Sequence, residues 1–187
     1  MELIVNNLSK TYHEKILFQA LSFTAPVGIT QITGTSGAGK TTLLRILMGL
    51  EYADRGTITP DALRWSAVFQ EDRLLAHLDA AGNLRFALGT AYDAGAAAAM
   101  LDALGLGDVG SKRVCDFSGG MKRRLALARA LLAPGDAIAL DEPFTGMDAE
   151  NRAAARRCIL RAAGQKIILI TAHDAIDLPH ATQIALP

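Results

Sequence analysis

The feature that most constrains the fold is a glycine-rich segment at residues 34–41, which has the spacing G-x-x-x-x-G-K-[ST] of a phosphate-binding P-loop. A polyphosphate needs several backbone N–H donors close together, and side chains would crowd them. Glycines at 34, 37 and 39 relieve that crowding and let the backbone wrap the phosphates. Lys40 supplies a positive charge for the terminal phosphates, and the Thr41 hydroxyl can ligate Mg²⁺. The segment therefore predicts a nucleoside triphosphate site. Its expected members are Gly34, Thr35, Ser36, Gly37, Ala38, Gly39, Lys40, Thr41 and Thr42.

The segments on either side of this loop predict a strand before it and a helix after it. Residues 28–33 form a β-rich run, and residues 42–50 carry apolar side chains at helical spacing. The loop would then join a strand to a helix N-terminus, where unpaired N–H groups and the helix dipole favour an anion. A flexible glycine turn that matches by chance is the alternative, and both flanks argue against it.

Composition narrows the class of protein. The 187 residues suit one domain, or one domain with a small inserted subdomain, and half of them are hydrophobic. Lys plus Arg and Asp plus Glu number 19 each, so no overall charge points to nucleic acid or to acidic lipid. The N-terminal residues do not resemble a secretory signal, and the apolar runs are too short for a membrane helix. Cys115 and Cys158 have no Cys or His neighbours, so we expect reduced thiols in a cytosolic protein and no metal site there.

The order of predicted elements favours an α/β fold, a P-loop NTPase with a mostly parallel central sheet covered on both faces. Residues 3–5 and 16–23 predict strands of a separate antiparallel N-terminal subdomain, with a turn at 13–15. Alanine-rich helical patterns at 79–88 and 94–104 predict an inserted helical subdomain. Further helices are predicted at 120–132 and 150–163, and further strands at 57–59, 65–69, 137–140, 167–170 and 183–186.

A second half of the site is predicted at Asp141 and Glu142, which directly follow the apolar run 137–140. In a P-loop protein the carboxyl end of a central strand lies beside the phosphates. Asp141 can hold Mg²⁺ there directly or through water, and Glu142 can take a proton from an attacking water. A strand that ends in Asp-Glu is commonplace and is otherwise a solvated strand end. Its combination with the P-loop favours the Mg²⁺ and base roles.

Further segments, taken in order, resemble motifs of the ATP-binding-cassette (ABC) ATPases. Residues 117–131 (FSGGMKRRLALARAL) resemble the signature motif, and residues 140–148 (LDEPFTGMD) resemble the Walker B segment and D-loop. Residues 171–174 (TAHD) resemble the switch-histidine segment. Gln70 matches the Q-loop glutamine, and Tyr12 stands where the family has its adenine-stacking aromatic. Each match is weak alone, but the ordered set covers nearly the whole chain.

The resemblance implies a role for each matching residue. Gln70 would contact Mg²⁺ or water, His173 would donate to the γ-phosphate, and Tyr12 would stack on adenine. In the family the signature of one subunit lies across the P-loop of another, so Ser118 and Gly120 would contact the partner's γ-phosphate. The implied catalytic residues are Glu142, His173 and Gln70; the signature residues are Ser118, Gly119 and Gly120; the D-loop residue is Asp148; and the Mg²⁺ ligands are Thr41, Gln70 and Asp141.

Each of these residues also has a purely structural explanation. Tyr12 could be an ordinary strand aromatic, Gln70 a polar strand end and His173 a helix cap. Ser118 fits a helix N-cap, a role that is compatible with phosphate binding. The basic run at residues 122–124 is expected to be a solvated face and not a nucleic-acid patch.

Two motifs of the chain depart from the usual pattern of the family. Met121 stands where the signature usually ends in Gln, and residues 145–148 read Thr-Gly-Met-Asp instead of Ser-Ala-Leu-Asp. Ser118, both glycines and Asp148 are kept. The chain ends soon after His173, so we expect no appended C-terminal regulatory domain.

The resemblance implies an ATPase that powers solute transport through separate transmembrane permease subunits, with ATP and Mg²⁺ as its ligands. We expect a single ABC ATPase domain over residues 1–187, with a helical subdomain at about 71–133 that includes the signature. The implied partners are the permease subunits, a second ABC ATPase subunit in a homodimer and, for an importer, an external solute-binding protein. No nucleic acid is expected, and the chain would lie peripherally at the cytoplasmic face of the membrane.

Residues 69–75 resemble the Q-loop region of nitrate, sulfonate or taurine importers, which favours an importer over an exporter. Two alternatives stay open. One is a soluble ABC ATPase that acts on DNA or ribosomes, although such proteins usually carry a coiled-coil insertion or two cassettes. The other is a non-catalytic ATP-binding subunit that pairs with an active partner, which Met121 leaves open.

Overall fold

A computed structural model of the protein describes residues 1–12, 15–172 and 176–186. The described residues form two compact units: the first comprises 1–65, 135–142 and 163–186, and the second comprises 66–134 and 143–162. The strands are β1 (Glu2–Tyr12), β2 (Lys15–Pro26), β3 (Gly28–Thr33), β4 (Arg55–Thr59), β5 (Trp65–Val68), β6 (Ala137–Asp141), β7 (Ile167–Ala172) and β8 (Thr182–Ala185). The α-helices are α1 (Lys40–Leu47), α2 (Ala80–Leu88), α3 (Ala94–Ala103), α4 (Gly119–Leu132) and α5 (Ala149–Ala163).

The first unit contains parallel strands in the order β6-β7-β3-β8. Every residue of β6 and β7 is buried, because both faces of these strands are covered. This explains why they appear in the sequence as unbroken apolar runs and not as an alternating pattern. Helix α1 packs against β6 and β7, directly after the loop that follows β3. The predicted mostly parallel central sheet is confirmed.

The first unit also contains an antiparallel sheet in the order β2-β1-β4, which confirms the predicted N-terminal β subdomain. Strand β1 is 11 residues long, although only residues 3–5 were predicted as strand. Its pairing shifts register between Val5 and Leu8, which breaks the simple alternation of buried and exposed side chains. Gly56 faces this irregularity, where a Cβ would lie 2.6 Å from the Cα of Leu8. Only glycine allows so close an approach of two backbones.

The second unit contains helices α2 to α5, with α4 packed against α2 and α3. Asp79, Asp93 and Ser118 cap α2, α3 and α4, because each side chain accepts the N–H three residues ahead. The predicted helix limits agree to within one residue here, whereas α1 begins two residues earlier than predicted and ends three residues earlier. This unit also includes residues 143–162, and the helical subdomain at about 71–133 stays a prediction.

The prediction that residues 122–124 form a solvated face is wrong for two of them. Arg123 is 5% exposed and Arg124 is 8% exposed. Both guanidinium groups are buried because each donates to backbone carbonyl oxygens of the same unit. Arg124 donates to the carbonyls of Leu104 and Gly105 at 2.8 Å each, and burial lowers the pKa of Arg124.

Two sequence expectations concern the whole chain. No helix among the described residues has the length and apolar character needed to cross a bilayer. Cys115 and Cys158 are both free, as predicted. Cys158 is buried, and this burial raises the pKa of its thiol.

Candidate functional site

The glycine-rich loop connects β3 to α1, as its flanks predicted. Gly34, Gly37 and Gly39 have φ angles of +157°, +79° and +94°. At Gly39 the space is also tight, because a Cβ there would lie 3.1 Å from the Cβ of Leu17. The loop therefore needs glycine for its backbone shape and for close contact with β2. Lys40 is the first residue of α1, so the loop backbone precedes a helix N-terminus, which is a favourable place for an anion.

The ammonium of Lys40 folds back onto the loop. Its Nζ donates to the carbonyl oxygen of Gly34 at 2.7 Å and to that of Thr35 at 3.0 Å, and the residue is 6% exposed. A buried cation whose named acceptors are neutral carbonyls would gain from an anionic oxygen, because charge-assisted hydrogen bonds are the stronger ones. The geometry therefore suits Lys40 to a phosphate.

The loop meets the predicted acidic strand end through one short hydrogen bond. Thr41 Oγ1 donates to Asp141 Oδ2 at 2.7 Å, although the two residues are 100 positions apart. Asp141 is the last residue of β6 and is buried, as predicted. A hydroxyl and a carboxylate are the hard oxygen ligands that Mg²⁺ uses, and Mg²⁺ needs few protein ligands because waters and phosphates complete its shell. This pair fits a magnesium ion.

Thr171 orients Asp141 and was missed by sequence reasoning. Its Oγ1 donates to Asp141 Oδ1 at 2.6 Å and accepts from the backbone N–H of Glu142 at 3.1 Å. Thr171 and Asp141 are register partners on the parallel strands β7 and β6. A signal was available, since both residues end buried apolar runs and parallel strands finish at the same edge of a sheet.

Glu142 lies directly after β6 and has a φ angle of +49°. Non-glycine residues seldom adopt this left-handed conformation, and such strain collects at functional sites. Asp141 is 3% exposed and Glu142 is half-buried, so these two adjacent acidic residues lie in different surroundings. Their roles in metal binding and proton transfer stay predictions.

The end of the β1–β2 hairpin carries Tyr12, which is 42% exposed. Its hydroxyl donates to the Glu51 carboxylate, which Lys10 Nζ approaches to 3.4 Å and Arg45 Nε to 3.7 Å. Lys10 Nζ also lies 5.0 Å from the centroid of the Tyr12 ring. The ring is thus tethered at its hydroxyl and leaves apolar surface exposed, which suits stacking on a base.

The start of β2 packs against the P-loop. Lys15, predicted in a turn, is the first residue of β2, and its Nζ donates to the carbonyl oxygen of Gly37 at 3.1 Å. Leu17 and Phe18 lie against Gly39. Sequence reasoning did not identify Lys15, because an isolated lysine beside a turn carries no motif.

In the second unit, side chains from two helices hold the segment that follows Gln70. Arg123 Nη1 contacts the carbonyl oxygen of Phe69 and pairs with Asp72 Oδ1 at 3.1 Å. Arg129 donates to the carbonyl oxygens of Asp72 at 3.0 Å and Arg73 at 2.7 Å. The backbone beside Gln70 is therefore fixed by α4, the helix that begins at the signature.

Asn83 of α2 holds the same segment further along. It is 3% exposed, and its amide oxygen accepts from Leu75 N at 2.8 Å while its amide nitrogen donates to Leu75 O at 3.0 Å. One buried side chain thus pairs both backbone groups of Leu75. This contact could not be predicted from the sequence, since a lone Asn in a helix belongs to no motif.

Ser118 is the N-cap of α4, as predicted: its Oγ accepts from Met121 N at 3.2 Å. Because Met121 contributes its backbone N–H, the replacement of the usual Gln leaves this cap intact. Gly120 lies so close to the predicted D-loop that a Cβ on it would be 2.8 Å from the carbonyl oxygen of Gly146. Gly146 itself has a φ angle of +74°. The signature and the D-loop are therefore in direct contact within this unit.

Asp148 caps α5. Its carboxylate accepts from Asn151 N at 2.8 Å and Asn151 Nδ2 at 2.7 Å, and these hydrogen bonds, with the backbone one first, lower the pKa of Asp148. The predicted residues thus fall into two groups: the P-loop, Asp141, Glu142 and Tyr12 in the first unit, and Gln70, the signature and Asp148 in the second. His173 lies outside the described residues, and the roles of all these residues stay predictions.

Comparisons with known proteins identify proteins to which this chain is similar. A family model described as ABC transporter matches residues 18–145. The chain is 38% identical to the cytochrome c biogenesis ATP-binding export protein CcmA of Alcanivorax borkumensis, over 93% of this chain and 83% of that protein. It is 37% identical to the aliphatic sulfonates import ATP-binding protein SsuB 2 of Xanthomonas axonopodis pv. citri, over 95% of this chain and 64% of that protein.

Two solved structures share the fold. An ABC transporter ATP-binding protein from Pyrococcus furiosus superposes with a TM-score of 0.89 at 19% identity, over 100% of this chain and 98% of that chain. A bacterial Atm1-family ABC exporter with ATP bound gives a TM-score of 0.85 at 22% identity, over 100% of this chain and 37% of that chain.

Proposed function

This chain belongs to the ABC transporter family, and we propose that it is the ATP-binding and ATP-hydrolysing subunit that powers solute transport through separate membrane permease subunits. The observation that carries the proposal is the 2.7 Å hydrogen bond from Thr41 to Asp141. It joins the phosphate loop to an acidic strand end, so two oxygens suited to Mg²⁺ lie together beside a phosphate-binding loop.

The residues of the first unit would bind MgATP. The N–H groups of the loop and of the first turn of α1 receive the phosphates, Lys40 exchanges its carbonyl acceptors for phosphate oxygens, and Tyr12 stacks on the base. Mg²⁺, when bound, supplies positive charge that offsets the charge of the phosphates. Thr41, Asp141 and Gln70 would hold it, with Thr171 fixing the orientation of the Asp141 carboxylate.

Hydrolysis needs a base that holds the attacking water. Glu142 would serve as this base, because it directly follows Asp141 at the end of β6 and is less buried than Asp141. His173 would steady the charge on the γ-phosphoryl group. Ser118, Gly119 and Gly120, with Asp148, would act on the nucleotide of a second subunit, so a homodimer would close around two ATP molecules.

The transport role rests on the relatives. One is named as an export protein and others as aliphatic sulfonates import proteins, so the proposal covers the energising role and leaves the direction open. The chain would form one ABC ATPase domain over residues 1–187, peripheral at the cytoplasmic face of the membrane and bound to permease subunits. An importer would add an external solute-binding protein.

The test is ATP hydrolysis by the purified chain, the Glu142→Gln variant and a matched Glu2→Gln control. Glu2 is an exposed residue at the start of β1, so its variant makes the same chemical change away from the predicted base. We expect Glu142→Gln to lower turnover about 100-fold or more while ATP affinity is kept, since a general base contributes roughly 10²–10⁴-fold. Glu2→Gln should match the parent, and EDTA should abolish turnover.

Equal turnover in the parent and Glu142→Gln would reject the base assignment. Binding of ATP without turnover in the parent would favour the non-catalytic alternative. Co-purification from membranes with a permease would support the transport role, whereas recovery with nucleic acid or ribosomes would reject it.

A further inference from the structure

We infer that Lys15 is a second phosphate-contacting lysine of this nucleotide site, one that raises affinity according to the charge of the phosphate chain. The inference rests on the proposed function, since it assumes that the P-loop binds a nucleotide. It concerns a residue outside every motif of the chain, and it is carried by the position of the Lys15 ammonium on the loop.

The ammonium of Lys15 lies on the glycine-rich backbone. Its Nζ is 3.1 Å from the carbonyl oxygen of Gly37 and 3.3 Å from the place where a Cβ of residue 37 would be. The described loop region therefore has two lysine ammoniums on its carbonyl oxygens: Lys40 on Gly34 and Thr35, and Lys15 on Gly37. A polyanion that docks on this loop meets both cations.

Packing holds Lys15 in this place. Two residues further along β2, Leu17 is 9% exposed, and the next residue, Phe18, is 2% exposed. A Cβ at Gly39 would lie 3.1 Å from Leu17 Cβ and 3.4 Å from Phe18 Cδ1, so the strand is in contact with the loop backbone. The start of β2 is therefore anchored on the P-loop, and the backbone of this strand places the exposed Lys15 side chain beside the loop.

Lys15 also connects the two ends of the proposed ligand. In the hairpin register it is the direct partner of Tyr12, the residue proposed to stack on the base. The Cβ atoms of such partners are about 5 Å apart. One strand pair thus places an aromatic ring and a flexible cation together, with the cation reaching the phosphate loop.

The present partner of Lys15 is a weak one. The side chain is exposed, and a single hydrogen bond from a solvated ammonium to a neutral carbonyl contributes little. A phosphate oxygen offers a charged acceptor, and charge-assisted bonds are about twice as strong as neutral ones. When a nucleotide fills the loop, Lys15 can therefore leave Gly37 for the phosphate chain at small cost.

The experiment measures the affinity of the purified chain for ATP, ADP and AMP by competition with a fluorescent ATP analogue. The variants are Lys15→Gln, Lys15→Arg and the control Lys166→Gln. Lys166 directly precedes β7, at the opposite end of the parallel sheet from the loop, and its variant removes the same charge. Thermal unfolding of each variant checks that the fold is kept.

We expect Lys15→Gln to raise the Kd for ATP about three- to tenfold, because one exposed charge-assisted hydrogen bond is lost. The increase in Kd should be largest for ATP, smaller for ADP and smallest for AMP. It should also be smaller at high salt, because exposed charges are screened. Lys15→Arg should restore most of the affinity, since it keeps the charge. Lys166→Gln should match the parent.

The results that would overturn the inference are distinguishable from one another. If the parent binds ATP and Lys15→Gln binds it equally well, the inference fails while the proposed function stands. If the parent binds none of the three nucleotides, the proposed function fails and takes the inference with it. An equal loss of affinity in Lys166→Gln, or an equal loss for all three nucleotides in Lys15→Gln, would indicate a general effect of charge and not a contact between Lys15 and phosphate.

Discussion

The P-loop and the segment after Gln70 are both irregular stretches that carry predicted nucleotide-site residues, yet they are held in different ways. The P-loop takes its shape from its own sequence: three glycines with positive φ and a lysine that bonds to carbonyls five and six residues before it. The segment 69–75 takes its shape from arginines more than 50 residues away and from Asn83. One is locally encoded, and the other depends on tertiary contacts.

Because of this difference, substitutions in the two regions should affect different properties of the protein. Lys40 of the P-loop can be changed with a small effect on folding, because its hydrogen bonds are made to carbonyl oxygens of the loop itself. Arg123 and Asn83, which hold the Gln70 segment, are buried and polar, so their loss leaves buried backbone groups without these partners. Substitutions in the first region should therefore alter ligand binding first, and substitutions in the second should alter stability first.

The largest effect is expected for Lys40→Met, which keeps the apolar stem and removes the charge. We expect the Kd for ATP to rise about 100-fold or more, since a charge-assisted contact of roughly 3 kcal/mol is lost. The free energy of unfolding should change by less than about 1 kcal/mol, because the two lost hydrogen bonds are to loop carbonyls. Titration calorimetry and urea unfolding check the two values. A large loss of stability with unchanged affinity would show that Lys40 serves the fold and not the ligand.

The second prediction is for Arg123→Met. We expect the free energy of unfolding to fall by about 2–4 kcal/mol, because a partly buried ion pair loses its buried member and the Phe69 carbonyl loses a donor. Lys122→Met is the matched control at the adjacent, less buried position, and it should stay within about 0.5 kcal/mol. Urea unfolding measures both. Equal values for the two variants would show that the segment does not depend on α4.

The third prediction compares two neighbouring glycines of the signature. Gly120→Ala should destabilise the protein by about 1–3 kcal/mol, because the new Cβ meets the Gly146 carbonyl at 2.8 Å. A Cβ at Gly119 would meet no atom within 4 Å, and this residue lies in the first turn of α4. Gly119→Ala should therefore be neutral or stabilise the protein by up to about 1 kcal/mol. Thermal unfolding of the two variants gives the comparison. The reverse order would mean that the D-loop does not press on Gly120.

The smallest effect concerns Asp136, which directly precedes β6, at the end of the strand opposite Asp141. Hydrogen bonds from the backbone and side chain of Arg64 lower the pKa of Asp136. A lowered pKa means that its stabilising contribution is complete above the ordinary pKa and is lost as the pH falls through the folded value. Asp136→Asn should therefore be slightly less stable than the parent at pH 7, and the gap should close below about pH 4.

The same variant supplies a control on function. Because Asp136 lies at the amino end of the strand, ATP turnover should stay at the parent level. Melting curves from pH 7 to 3 and a turnover assay at pH 7 check both parts, and a gap that widens in acid would contradict the assigned cause.

The predictable parts of this protein are those written in contiguous patterns. The strand–loop–helix unit at residues 28–47, the buried strand before Asp141 and the cap at Ser118 follow from local spacing and were confirmed. The α/β class followed from the order of such patterns. These features depend on residues that are neighbours in the chain, and a single sequence displays them directly.

The parts that could not be predicted depend on pairing between distant residues. Arg123 and Arg124 look like a charged surface in a sequence, and only their carbonyl partners on other segments make them buried. Strand β1 extends past its predicted end because irregular pairing hides its alternation. Lys15 and Asn83 carry no motif, and their roles appear only when β2 and α2 are placed against the loops that they contact.

The close approach of Gly120 to Gly146 bears on how this protein can be recombined with its relatives. A hybrid protein could combine the start of α4 from one family member with the D-loop from another. These two segments would then be in contact without having evolved together. A Cβ on Gly120 would lie 2.8 Å from the carbonyl oxygen of Gly146, so a change in one stretch bears on the other although 25 residues separate them. Directed evolution of this region should therefore mutate both stretches in the same library.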